Sequence, residues 1–177
     1  MRAALSDHFL AARSGDILTP MTFSPIEIAT AYHEAGHAVM ALALGRPVQR
    51  VSVQPNRLRL GHCELKKGSF RPSKDVLETE ILILLGGLAA EARHTGRYGW
   101  SGAAQDLCGV RSLARMRAAS ERQVERLERR MLTKAEHILN QPGMWSATER
   151  IADELLRSTT ISGRAARHLF EQKGIAG

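Results

Sequence analysis

Long apolar runs are missing from this 177-residue chain. The longest, Ile81–Ala90, is about half of what a membrane-spanning helix needs, and it contains Gly86 and Gly87. Met1–Thr19 is interrupted by Asp7, His8, Arg13 and Asp16, so it lacks the apolar centre of a secretory signal. Cysteine is nearly absent. Cys63 and Cys108 are too few for a disulfide framework, and no CxxC pair occurs. These absences lead to the expectation of a cytoplasmic protein with no membrane span. Aromatic residues make up only 5%, which leaves few platforms for stacking bases. Helix-turn-helix and zinc-finger signatures are lacking too. The net charge of +7 comes largely from arginines on one helical stretch, where Glu125 can pair with Arg129 and Arg122 with Glu125. Nucleic acid is therefore not an expected partner.

What is present reads as one ordinary globular domain, 44% hydrophobic and 24% charged. Residues 1–23 form a short lead-in and residues 24–177 a single domain. Ser24-Pro25-Ile26-Glu27 is a capping box with proline at the first helical position, and the helix it starts should end near Gly45. Val48–Gln54 and Leu58–Leu65 alternate as two strands of a hairpin around Pro55-Asn56. Ser73 is expected to cap a helix to about Arg93. A Gly- and Ser-rich loop, His94–Gln105, leads into a long helix from Asp106 to about Leu139. Ser146-Ala147-Thr148-Glu149 reads as a second capping box, and a last short helix follows Ser162. The fold class is mostly α with one small β-hairpin.

The chemistry is concentrated in the first helix. His33 and His37 are four residues apart, so they lie about 40° apart around the axis and can ligate one metal ion. Glu34 is offset by about 100°, clear of the metal yet able to reach a water beside it. This is the HExxH arrangement of zinc peptidases, with Glu34 as the general base. Ala31, Tyr32, Ala35, Ala38 and Val39 flank the motif, which indicates burial. Buried imidazoles and a carboxylate cost several kcal/mol unless paired or metallated. Gly36 costs the helix about 1 kcal/mol relative to alanine, which a close approach of another backbone would explain. Zinc in such a site commonly takes three protein ligands. His62, Glu91, His94, Asp106 and Cys108 are the candidates for the third. No histidine extends the motif in the metzincin manner.

Ala31–Ala38, the segment Gly86-Gly87-Leu88-Ala89-Ala90-Glu91, and Ser101–Leu107 with Leu113–Met116 together resemble the proteolytic domain of the FtsH family, membrane-anchored AAA proteases. The resemblance runs from roughly Ser24 to Gln172. It implies His33 and His37 as zinc ligands, Glu34 as general base and Asp106 as third ligand. Asp106 otherwise reads as a first-turn acid complementing the helix dipole. Glu91 is the alternative ligand, or a hydrogen-bond partner orienting a ligand histidine. Cys108 reads as a small buried apolar residue, and His62 or His94 could steady an oxyanion.

Two departures qualify what the resemblance implies. No GxxxxGK[ST] phosphate loop occurs, so the expected activity is ATP-independent hydrolysis of peptides or unfolded protein segments, with room for an ATPase or adaptor in trans. Between Met116 and Met131 the family carries a longer, partly extended insertion, whereas this chain reads as continuous helix. The resemblance also implies a homo-oligomer. Leu58–Leu65 is either a substrate-binding edge strand or a cover for the active-site helix. The competing function is a non-catalytic, metal-stabilised regulatory domain that binds partners.

Overall fold

A helix buried on all sides forms the centre of a core. The first helix, α1 (Pro25–Ala43), meets that description: every residue from Ala31 to Ala41 is buried. In the computed structural model, which describes residues 22–55, 60–67 and 75–172, the rest of the chain is arranged around it. The Ser24 hydroxyl accepts from the Glu27 backbone N–H at 3.2 Å, and the Glu27 carboxylate accepts from Ser24 N–H at 2.8 Å, completing the expected capping box. Gly45, with φ +77°, ends the helix.

α2 (Val76–Thr95) packs along α1, and α5 (Met144–Ser158) packs on another side of it. α3 (Ala104–Arg115) and α4 (Glu121–Leu139) lie against α2, and α6 (Gly163–Glu171) closes on α5 and the sheet. Three short antiparallel strands, β1 (Val48–Ser52), β2 (His62–Leu65) and β3 (Thr160–Ser162), make a sheet in the order β2-β1-β3. Val51 sits opposite Cys63 on one side and Ile161 on the other. The mostly helical class with a small sheet is as expected. Among the described residues no helix is long and apolar enough to cross a membrane.

The close approach demanded by Gly36 is where α1 crosses α2. A Cβ on Gly36 would lie 2.3 Å from the Gly86 carbonyl oxygen and 2.6 Å from the Ala90 Cβ. A Cβ on Gly86 would lie 2.8 Å from the Gly36 oxygen. The two backbones therefore touch at a pair of glycines.

Several local expectations are corrected. The long helix from Asp106 to Leu139 is two helices, because Ser120 leaves the helical conformation (φ −148°, ψ 155°) and caps α4 from outside. The Gln123 side chain accepts from Ala119 N–H at 2.8 Å, so Ser120 and Gln123 bind both strands of the corner. Arg117, on that corner, makes a two-pronged ion pair with Asp75 at 2.6 and 2.7 Å. Glu121 at the start of α4 pairs with Arg111 and Arg115 of α3, and the expected pairs Glu125–Arg129 and Arg122–Glu125 along α4 are not among the ion pairs of the described residues. The helix expected from Ser146 starts at Met144, because Gly143 (φ 83°) supplies the turn three residues before Ser146. Thr148 then bonds back to the Met144 carbonyl from inside the helix. Asp75 caps α2 by accepting from Glu78 N–H, while Ser73 lies outside the described residues. Leu58 and Arg59 of the expected strand Leu58–Leu65 and most of the lead-in lie outside them as well. β3 was not anticipated, since three residues carry too little pattern.

Gly36→Ala tests the helix crossing. It should lower the free energy of unfolding by about 2 kcal/mol in urea titrations, although alanine favours an isolated helix by about 1 kcal/mol.

Candidate metal centre

The glycine crossing places α2 directly under the histidines of α1. His33, Glu34 and His37 are 8%, 5% and 7% exposed, so all three have surrendered most of their hydration. α2 supplies partners for the imidazoles. His33 Nδ1–H donates to Glu91 Oε2 at 2.9 Å, and His37 Nδ1–H donates to the Ile83 carbonyl at 2.8 Å. With both Nδ1 atoms donating, the two Nε2 atoms face the same point, and each carries a lone pair once its ring is neutral. α3 supplies the third group: Asp106 Oδ2 lies 3.1 Å from His33 Nε2 and 3.3 Å from His37 Nε2.

Among the described residues these three side chains form the one group able to hold a metal ion, their ligand atoms within 4.8 Å of one another. The spacing fits zinc. Tetrahedral ligands at bonds of 2.0–2.1 Å are about 3.3 Å apart. The space between them is also kept free of protein. A Cβ on Gly87 would lie 2.5 Å from His37 Nε2 and 2.7 Å from His33 Nε2. With both rings neutral, two nitrogen lone pairs and a carboxylate oxygen would repel unless a proton or a metal cation joined them, and the donor set suits a zinc ion.

The electrostatics agree. Burial works against a charged His33, but hydrogen bonds to Asp106 and Glu91 outweigh it and push its pKa up to about 9. Burial raises Asp106 as well, yet the His33 and His37 imidazoles prevail and hold it well below the usual carboxylate range. Glu34 is raised by burial, opposed by His37 and His33. Its Oε2 is buried with no hydrogen-bond partner. That is the atom a proton-transfer role would need free.

All of these groups line one cleft of about 1510 Å³. Gly61 and β2 meet Glu34 there: a Cβ on Gly61 would lie 2.8 Å from Glu34 Oε1. Cys63, whose thiol burial pushes far up, and Leu65 also line it. The other candidates stay out of the three-residue group, although His94 lines the same cleft. His94 stacks on Tyr32, ring centroids 3.7 Å apart. His62 approaches Glu64 at 3.5 Å. Cys108 is exposed, correcting the expectation that it is buried, because α3 turns that face outward. Sequence reasoning missed Ile83, whose contribution is a backbone carbonyl. It also missed Gly87, although two adjacent glycines in an apolar helix were the signal.

The model of peptidase family M41 matches residues 26–120, more than half of the chain. The chain belongs to peptidase family M41. The ATP-dependent zinc metalloprotease FtsH of Chlamydia trachomatis is 37% identical over 90 residues, covering 49% of this chain and 10% of that protein. That of Cupriavidus metallidurans is 45% identical over 67 residues, covering 36% and 10%. That of Acidimicrobium ferrooxidans is 29% identical over 148 residues, covering 80% and 20%. The expected FtsH resemblance is borne out, and this M41 chain spans about a tenth to a fifth of the length of these curated relatives. His33, Glu34, His37, Glu91 and Asp106 all fall within the matched segment.

Two outcomes follow from this geometry. Gly87→Ala should lower zinc affinity about a hundredfold or more in chelator competition, with the far-ultraviolet dichroism unchanged. A raised His33 pKa means that its proton is bound at pH 7 and must leave when a divalent ion enters. Zinc affinity should therefore rise about tenfold per pH unit from pH 7 to 9 and flatten above. Calorimetry in two buffers of different ionisation enthalpy should count about one proton released at pH 7.

Proposed function

We propose that this chain is a zinc-dependent peptidase, hydrolysing peptides or unfolded protein segments with no ATP requirement of its own. The observation that carries the reading is the convergence of His33 Nε2, His37 Nε2 and Asp106 Oδ2 beside the unpartnered Glu34 Oε2 in a single cleft. Membership of M41 and the printed name of the relatives, zinc metalloprotease, support the same reading.

In this proposal His33, His37 and Asp106 hold the zinc. When bound, zinc supplies Lewis acidity and lowers the pKa of water at its open position to about 7. Glu34 Oε2 takes the proton of the attacking water and passes it to the leaving amine. The upward push that burial gives Glu34 suits a group that must hold that proton for part of the cycle. Glu91 acts through His33: by accepting from Nδ1–H it fixes the tautomer and the direction of Nε2.

Substrate would bind as an extended segment. β2 stands at one end of the sheet order, with Cys63 and Leu65 lining the cleft, so its outer edge offers backbone groups beside Glu34. Main-chain bonding to such an edge is indifferent to sequence, as a peptidase of unfolded segments requires. Folded substrates would need an ATPase or adaptor acting in trans, and a homo-oligomer remains part of the proposal.

The test is elemental analysis together with casein hydrolysis. Wild type should carry one zinc per chain and cleave unfolded casein. Glu34→Gln should keep the zinc and lose about 10²–10⁴-fold in kcat/KM. Asp106→Ala should lose the zinc. Full activity in Glu34→Gln, or a wild type that binds no zinc when resupplied, would overturn the proposal.

A further inference from the structure

Six large apolar side chains are exposed among the described residues: Ile26, Leu60, Val76, Tyr98, Trp100 and Met116. Four of them, Ile26, Leu60, Tyr98 and Trp100, line the same cleft as Glu34 and the His33–His37–Asp106 cluster. Scattered apolar exposure needs no explanation, but a cluster at a concave site marks binding. The concentration matters more here because only 5% of residues are aromatic. Trp100 is one of two tryptophans and is 52% exposed.

Tyr98 and Trp100 sit on the connection between α2 and α3. Their rings stack with centroids 4.9 Å apart and planes 29° apart. The connection is fixed at several points. Gly96 leaves α2 in the left-handed conformation. The Tyr98 hydroxyl donates to Glu136 on α4. Gly99, between the two rings, lies so close to Glu91 that a Cβ there would be 2.0 Å from Oε1. Ala103 N–H bonds to the Gly99 carbonyl at 3.1 Å, and α3 then begins and presents Asp106. The aromatic pair is thus tied to Glu91 and Asp106, two of the groups around the metal centre. It is a rigid apolar surface at a set distance from the reacting atoms, which is the condition for selectivity.

The choice of occupant follows from charge. An aromatic platform can stack a nucleic-acid base or an apolar side chain. The cleft carries the carboxylates of Glu34, Glu80, Glu91 and Asp106 against the guanidinium of Arg97, which disfavours a phosphate backbone. A side chain of an extended peptide brings no such charge, and β2 lines the same cleft.

We propose that Tyr98 and Trp100 form a subsite for an aromatic side chain of the substrate, so that this chain selects segments carrying Phe, Tyr or Trp near the cleaved bond. The proposal rests on the peptidase reading and adds its substrate class. Offset stacking and edge-to-face contact on Trp100 supply a preference that alanine in the same position cannot.

The test separates binding from turnover. The probe is a fluorescein-labelled alanine-rich decapeptide with a single Phe walked along it, titrated by anisotropy into the zinc-loaded Glu34→Gln chain. In at least one register the Phe peptide should bind about tenfold more tightly than its all-alanine counterpart. Adding Trp100→Ala should reduce that ratio to about twofold or less, and Trp100→Phe should restore most of it. Zinc content should be unchanged in both. No preference in any register, no binding of either peptide, or a preference that survives Trp100→Ala would overturn the subsite. Wild type is then assayed for cleavage of the same peptides. Preference without cleavage would sink the peptidase reading and leave an aromatic-binding cleft; cleavage without preference would sink the subsite alone.

Discussion

Contact between the backbones of α1 and α2 at Gly36 and Gly86 is the constraint on which the rest depends. A side chain at either position would collide with the facing backbone, at 2.3 Å from Gly36 and 2.8 Å from Gly86. Every feature of the metal centre is drawn across that gap. Ile83 reaches His37 from one side of the crossing and Glu91 reaches His33 from the other, while Gly87 leaves room between the imidazoles. Two adjacent glycines in α2 weaken that helix as an isolated segment, by roughly 2 kcal/mol in propensity. Tertiary packing offsets the loss, and the bare surface they leave holds the chemistry.

The site also shows how an apolar core can carry charge. Glu34, Glu91 and Asp106 face two imidazoles in largely buried surroundings, a set that separate desolvation would make costly. The groups are interlocked instead. Each imidazole has one nitrogen committed to α2 and the other to Asp106, so the ring orientations are settled by the fold and not by the ion. Glu34 stands apart from this network, with one oxygen unpartnered. A carboxylate meant only to balance charge would have been paired.

Much of this was legible in the sequence. The i, i+4 histidines, the capping box before them and the apolar flanks gave α1, its burial and two of the three groups that converge at the candidate metal centre, because helical periodicity converts spacing directly into direction. Asp106 was one of five candidates until the resemblance singled it out, since a contact across 73 residues leaves no local pattern. The break at Met116–Ser120 was missed because helical charges continue on either side of it, although Ser120 with Gln123 is itself a cap signature. The start of α5 was placed late for a related reason: Ser146 and Glu149 match the capping pattern, but Gly143 can turn the chain where neither can. β3 has three residues, and its existence depends on what β1 offers it.

That third strand sets an order on how the molecule is made. β3 joins β1 only after more than a hundred residues have been added, and α5, which walls α1, comes just before it. Asp106 likewise follows the histidines by a long interval of synthesis. On the ribosome the HExxH segment is therefore made before the elements that surround it. A growing chain exposes its histidines well before it can close the cleft around them. His33 and His37 therefore wait for Asp106, and for the helices that wall α1, before the three groups can converge.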